Sequence, residues 1–149
     1  MDVKVYKFGG ASLKSSKHIE NVVDILSLEP NNKTVVVVSA TGKTTNAMEE
    51  VLGHYINGEV GEAIEKFNEI QKVHFETIRA LGIEEHHALN DINDTFVEIE
   101  WMLEEEPEDS YDYLYDQIVA SGELLSSKIL HYALLKSKIN NIWLSLIHI

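Results

Sequence analysis

The sequence predicts an α/β domain, a βαβ unit carrying a helical insertion. Three observations predict it. Val3-Lys4-Val5-Tyr6-Lys7-Phe8 alternates, is β-rich and runs directly into Gly9-Gly10. Thr34-Val35-Val36-Val37-Val38-Ser39 is a continuous valine run, the pattern of a parallel strand buried on both faces. Beyond Thr44-Thr45 the periodicity becomes helical and stays so for most of the chain. With 149 residues, 44% of them hydrophobic, the chain can bury one core, which makes it one domain or a part of one.

The first strand should end at the glycine pair, where the chain turns tightly. A helix follows: Ser15 or Ser16 can cap it, and Ile19, Val22, Val23 and Leu26 fall on one face before Pro30-Asn31-Asn32 breaks the chain. The valine strand comes next. Candidate helices then cover Asn46 to Ile56, Glu59 to Leu81 and Glu85 to Glu106, punctuated by Asn57-Gly58 and Gly82. Together they form an insertion over about residues 46–106. A turn at Pro107 to Ser110 leads into helical stretches at Tyr111 to Ala120 and Gly122 to Lys136, and Ile139 to Leu144 reads as a further strand. In a βαβ unit ligands bind at the carboxyl ends of the strands. Gly9-Gly10 and the segment Ser39 to Thr45 both fall there.

Composition narrows the function classes. The absence of cysteine removes disulfide scaffolds, thiolate metal sites and cysteine nucleophiles. A formal charge of -13 opposes nonspecific attraction to nucleic acid or anionic membrane, since both require clustered Lys and Arg. The longest apolar run, Val35 to Val38, is too short to cross a bilayer and the amino terminus lacks the apolar stretch of a signal peptide, so a cytoplasmic location is expected. Between Asp94 and Asp116 there is no Lys or Arg but many Glu and Asp, which reads as a solvated acidic face. His74, His86 and His87 lack the paired spacing of a metal-binding helix and read as core or surface histidines. Trp101, Met102 and Leu103 read as packing residues.

Three segments can carry chemistry. In Lys7-Phe8-Gly9-Gly10-Ala11-Ser12 the glycines let backbone N–H groups approach phosphate oxygens while the lysine neutralises phosphoryl charge. A plain glycine turn beside a strand lysine fits the spacing equally well. Ser39-Ala40-Thr41-Gly42-Lys43-Thr44-Thr45-Asn46 contains Gly-Lys-Thr but is no phosphate loop, because Val37 stands where the first glycine belongs. What remains is a hydroxyl-rich loop opening a helix, suited to a small polar or anionic substrate, with Thr44 or Thr45 as possible caps. Ser121-Gly122-Glu123 offers a carboxylate able to bind an ammonium group, though Ser121 taken alone reads as a helix cap.

Taken together, Lys7 to Ser12, Val35 to Ala40 with Thr45-Asn46, Ser121-Gly122-Glu123 and Trp143-Leu144 occur in the order and spacing of aspartate kinases, and the sequence resembles that family over Val3 to Leu144. The resemblance implies an αβα sandwich of the amino-acid-kinase type, of which this chain would be the N-terminal part. It also implies ATP-dependent phosphorylation of the L-aspartate β-carboxylate, with Mg²⁺ arriving on the nucleotide. Lys7 would be the catalytic lysine, with Gly9, Gly10 and Ser12 also on the ATP phosphates. Ser39, Thr45 and Glu123 would contact aspartate, and no protein-held metal is expected.

The family pattern breaks after Leu144, where an Asp-x-Arg-like segment is expected and Ser145 to Ile149 instead reads as a non-native tail. A kinase domain ending there would lack half its sheet. Such a chain is expected to leave apolar faces uncovered, to self-associate as a homo-oligomer, and to lack turnover on its own. Two other functions fit parts of the pattern. A sibling kinase acting on glutamate, carbamate or uridylate would share the glycine turn but not both polar segments. A noncatalytic helical interaction module would use the acidic helices but would have no need of Lys7, Gly9, Gly10 and Glu123.

Overall fold

The computed structural model describes residues 3–29 and 33–145. The break expected at Pro30-Asn31-Asn32 and the tail residues 146–149 lie outside them. Strand β1 (Lys4–Phe8) pairs in parallel with β2 (Thr34–Val38), from Lys4 opposite Thr34 to Phe8 opposite Val38. Between them runs α1 (Ser16–Ser27), whose Ile19, Val22, Val23 and Leu26 are buried as their spacing predicts. Ser15 occupies the N-cap, but its hydroxyl lies 2.8 Å from His18 Nδ1 instead of capping a backbone N–H.

The helical body follows as α2 (Thr44–Ile56), α3 (Val60–Leu81), α4 (Ala88–Glu104), α5 (Tyr111–Ile118) and α6 (Ser121–Lys136). Its helices pack α2 on α3, α3 on α4 and α4 on α6, while α6 also touches α1, α5 and β2. This central position buries residues on several sides of α6, from Leu125 through Ile129 and Leu130 to Leu134. Phe67 and Phe96 meet edge-on at 5.7 Å across α3 and α4, an arrangement that aromatic quadrupoles favour. The core is continuous from Leu13 and Ile19 to Leu134, so the helical body and the βαβ unit share it. At the end of α3, Gly82 adopts a left-handed φ of +63°, the usual helix stop. Tyr55 buries its ring and donates its hydroxyl proton toward the Met102 and Glu105 carbonyls at 2.8 and 3.0 Å, closing the end of α4.

Three expectations are corrected. The valine strand is not buried on both faces: Tyr6, Phe8, Val36 and Val38 pack on the core, while Val5, Val35 and Val37 are 67%, 48% and 45% exposed. The described residues put all their helical packing on one side of the sheet. Ile139 to Leu144 forms no strand, because among the described residues no neighbour offers it a hydrogen-bond ladder. It lies along α6 instead, with Asn141 Oδ1 2.6 Å from His131 Nδ1 and Trp143 Nε1 donating to Ser127 Oγ at 2.9 Å. Trp101, expected to pack, is 66% exposed, although Leu103 beside it is buried. The acidic stretch is largely a solvated face, as read.

Candidate active site

Because β1 and β2 are parallel, the chain leaves both at the same edge, and the two loops there interlock. Ser39 N–H donates to the Phe8 carbonyl at 3.1 Å and Gly42 N–H to the Gly10 carbonyl at 3.0 Å. This crossing has a steric condition. A Cβ on Gly10 would lie 2.8 Å from the Gly42 carbonyl oxygen and 2.9 Å from that of Ala40, and backbone atoms tied into strand and loop cannot give way. Gly9 is different, since a Cβ there would meet nothing within 4 Å. The chain's own packing therefore does not require glycine at that position, and the bare backbone leaves room for a ligand to approach. Gly10 opens a 3-10 turn to Leu13, inside which Ser12 N–H donates to the Gly9 carbonyl at 2.9 Å.

The third segment comes to the same place from far along the chain. A Cβ on Gly122 would lie 3.1 Å from both Ala40 Cβ and Thr44 Cγ2, so the start of α6 is pressed onto the loop after β2. Ser126 Oγ, one turn on, lies 2.7 Å from the Ser39 carbonyl oxygen and 3.0 Å from that of Glu123. Ser126 was not legible as a site residue in the sequence. Its only signal is that it stands one helical turn after Gly122, on the side that faces the sheet.

The structure thus joins all three predicted segments. Gly10, Ser39 and the Ser121-Gly122-Glu123 turn are linked by direct contacts. Ser12, Thr45 and Glu123 sit exposed on the same loops and first helical turns. Lys7 is exposed on the open face of the sheet, opposite Val37. Among the described residues neither Lys7 nor Glu123 enters an ion pair. Lys14 and Lys43 flank the crossing, with Lys14 Cβ 3.6 Å from where a Gly42 Cβ would stand. They add local positive charge to an otherwise acidic chain.

The cap readings for Thr44, Thr45 and Ser121 do not hold. Thr44 is the first residue of α2 and its hydroxyl lies 3.1 Å from Thr41 Oγ1, while Lys43 occupies the N-cap without a side-chain bond. Ser121 donates its hydroxyl proton back to the Ile118 carbonyl, and Ala120 is the N-cap of α6. In each case the preceding turn continues into the helix, so there is no extended residue from which a side chain can reach forward.

Tyr115 is a further neighbour. Its hydroxyl donates to Glu49 Oε1 at 2.9 Å, and that bond chiefly raises its pKa, with burial and several charges including that of Glu123 adding. His74, buried on α3, has its pKa lowered by burial against an opposing bond to the Ile70 carbonyl. Among the described residues no group of three or more His, Asp or Glu is placed to hold a metal ion. Cavities of about 110 and 120 Å³ lie elsewhere, one between Glu20, Leu81 and Lys136, the other between Ile64, Leu103 and Glu104. No described helix is long and apolar enough to cross a membrane.

The model of the amino acid kinase family matches residues 2–149. The chain belongs to that family. It is 31% identical over 129 residues to aspartokinase 1, chloroplastic, of Arabidopsis thaliana, an alignment covering 84% of this chain and 22% of the relative. Escherichia coli aspartokinase III, solved in complex with lysine and aspartate in its T-state, superposes with a TM-score of 0.78 at 25% identity, covering 93% of this chain and 30% of that one. The R-state of the same enzyme, in complex with aspartate and ADP, gives 0.75 at 24% identity, covering 92% and 30%, and supports the fold alone. The chain therefore spans less than a third of each, and matches the mixed α/β architecture of an amino acid kinase over that part.

Proposed function

We propose that this chain is the amino-terminal part, residues 1–144, of a kinase domain that transfers the ATP γ-phosphoryl group to the β-carboxylate of L-aspartate. The observation that carries the reading is the meeting of Gly10, Ser39 and the Ser121-Gly122-Glu123 turn at one sheet edge, in a chain whose relatives are aspartokinases. Their names favour aspartate over glutamate, carbamate or uridylate as acceptor. A carboxylate oxygen attacks the γ-phosphorus, the bond to the bridging oxygen breaks, and ADP leaves with the electron pair. Such a transfer rests on positioning and charge stabilisation, with no covalent enzyme intermediate.

Lys7 is assigned to the phosphoryl oxygens as the catalytic lysine, with Gly9, Gly10 and Ser12 supplying N–H and hydroxyl donors to the phosphates. Ser39 and Thr45 are assigned to the aspartate carboxylates and Glu123 to its ammonium group. Mg²⁺ fits as an ion carried on the nucleotide, since it keeps phosphate and water ligands readily; no residue here is assigned to hold it. The same reading takes in a homo-oligomer, a cytoplasmic location and a place at the start of lysine, threonine and methionine synthesis, although the plant relatives are chloroplastic by name. The open apolar sheet face of Val5, Val35 and Val37 fits self-association.

Titration of the chain with L-aspartate, followed by amide chemical shifts, tests the acceptor assignment. Saturable shifts at residues 39–46 and 121–124, weaker with L-glutamate and lost in Glu123→Ala, are expected. Shifts of equal size with both amino acids, or none, would exclude aspartate as the ligand of this edge. A coupled ADP-release assay on this chain alone should show no turnover.

A further inference from the structure

His74 is buried to 2% exposure in the middle of α3, its ring edge-on to Phe96 at 5.6 Å. An imidazole is a costly way to fill an apolar position unless its nitrogens are used. Both are. Nδ1 lies 2.8 Å from the Ile70 carbonyl oxygen, which can only accept, so Nδ1 carries a proton. In the neutral ring Nε2 is then a bare acceptor. Among the described residues its hydrogen-bond partner is Thr41 Oγ1, at 3.5 Å, in the loop between β2 and α2. Thr41 must therefore donate toward His74. Its oxygen is 3.1 Å from Thr44 Oγ1, and with the Thr41 proton already committed, Thr44 is the donor of that pair.

The hydrogen bonds thus run in one direction, from Thr44 to Thr41 to His74, and this has a consequence at the site. With its hydroxyl turned to Thr41, Thr44 presents its methyl group to the start of α6, where Gly122 is the residue that fits against it. We propose that His74 is a positioning residue. Its Nε2 acceptor orients Thr41 and Thr44 and so seats the Ser121-Gly122-Glu123 turn against the loop from Ser39 to Asn46. The effect on acceptor binding rests on the aspartate reading above; the directed hydrogen-bond chain does not.

The variants His74→Phe and His74→Gln in the present chain separate this from simple core filling. Phenylalanine keeps the ring and its contact with Phe96 but has no acceptor, whereas glutamine restores a polar group near the Nε2 position. Three results are expected. Imidazole ¹H–¹⁵N spectra at neutral pH should show His74 protonated on Nδ1 alone. Amide exchange at residues 41–45 and 122–124, referred to the global stability of each variant, should rise about tenfold in His74→Phe and return most of the way in His74→Gln, the size of one lost hydrogen bond. L-Aspartate affinity should follow the same order.

A proton on Nε2, or a loop in His74→Phe that exchanges like the original, would overturn the proposal, as would a glutamine variant no better than phenylalanine. Should His74→Phe fail to fold, Thr41→Val removes the donor from the loop side. An imidazole spectrum unchanged by Thr41→Val would likewise overturn it. Failure of every form to bind aspartate would count against the aspartate reading alone, since the tautomer and the exchange pattern are read without it.

Discussion

Two polar regions of this molecule use the same residue types to opposite ends. In the helical body Lys128 is wedged between α4 and α6 with its side chain 12% exposed, its ammonium 2.7 Å from Asp91 Oδ1, 3.2 Å from the Asp91 carbonyl and 2.9 Å from Thr95 Oγ1. Tyr132 takes the other carboxylate oxygen at 3.0 Å, and the Trp143 ring lies 5.5 Å from the Lys128 ammonium. Almost every donor and acceptor is engaged. At the sheet edge, Lys7 and Glu123 stand exposed without ion pairs among the described residues, above a backbone crossing held by glycines. A charge already satisfied by its own chain holds helices together. A charge held out in solvent over a rigid crossing is available to a ligand.

Substitutions should separate the two regions clearly. Gly10→Ala drives a Cβ into two backbone oxygens at the crossing and should destabilise the chain by about 3 kcal/mol in urea unfolding. A change below about 0.5 kcal/mol would mean that the crossing is looser than the geometry states. Asp91→Ala should come next, at about 2 kcal/mol, because it strands a largely buried ammonium while Asp91 itself stays partly hydrated. In the same helical body, burial first and then the bond to Asp91 push the Tyr132 phenol up to about 12. Absorbance titration should therefore show Tyr132 ionising well above an ordinary tyrosine, and Asp91→Asn should bring it part of the way down.

The pH dependence links the regions through His74. Burial lowers its pKa in the folded chain, so in the window just below the ordinary histidine value the unfolded chain binds more protons than the folded one. Stability is then flat with respect to this group above about pH 6.5, and falls as pH drops below it by at most about 1.4 kcal/mol per unit. His74→Phe should remove that contribution. The smallest effects on stability belong to the sheet edge: Lys7→Met, Glu123→Gln and Gly9→Ala should each stay within about 0.5 kcal/mol in the same urea assay. Losses as large as that of Asp91→Ala would make these residues structural and would remove the contrast.

Much of the fold was legible in the sequence because local patterns carry it. The alternation of Val3 to Phe8, the apolar face of α1 and the stops at Asn57-Gly58 and Gly82 all appear where periodicity and turn chemistry place them. The glycine pair and the two polar segments were legible for the same reason, and the parallel strands bring two of them to one edge. Ser126 and His74 were not. Each looks ordinary along the chain, and each matters only for what it faces 87 or 33 residues away.

The strands, the helices, the glycine turn and the polar segments were present in the residue order, since each depends on neighbours a few positions apart. Three things needed the folded chain: that Gly10 rather than Gly9 bears the crossing, that one face of the valine strand stays open, and that Ile139 to Leu144 lies on α6 instead of in a sheet. Steric exclusion, strand pairing and burial are relations between distant segments, and no local pattern encodes which segment will stand opposite.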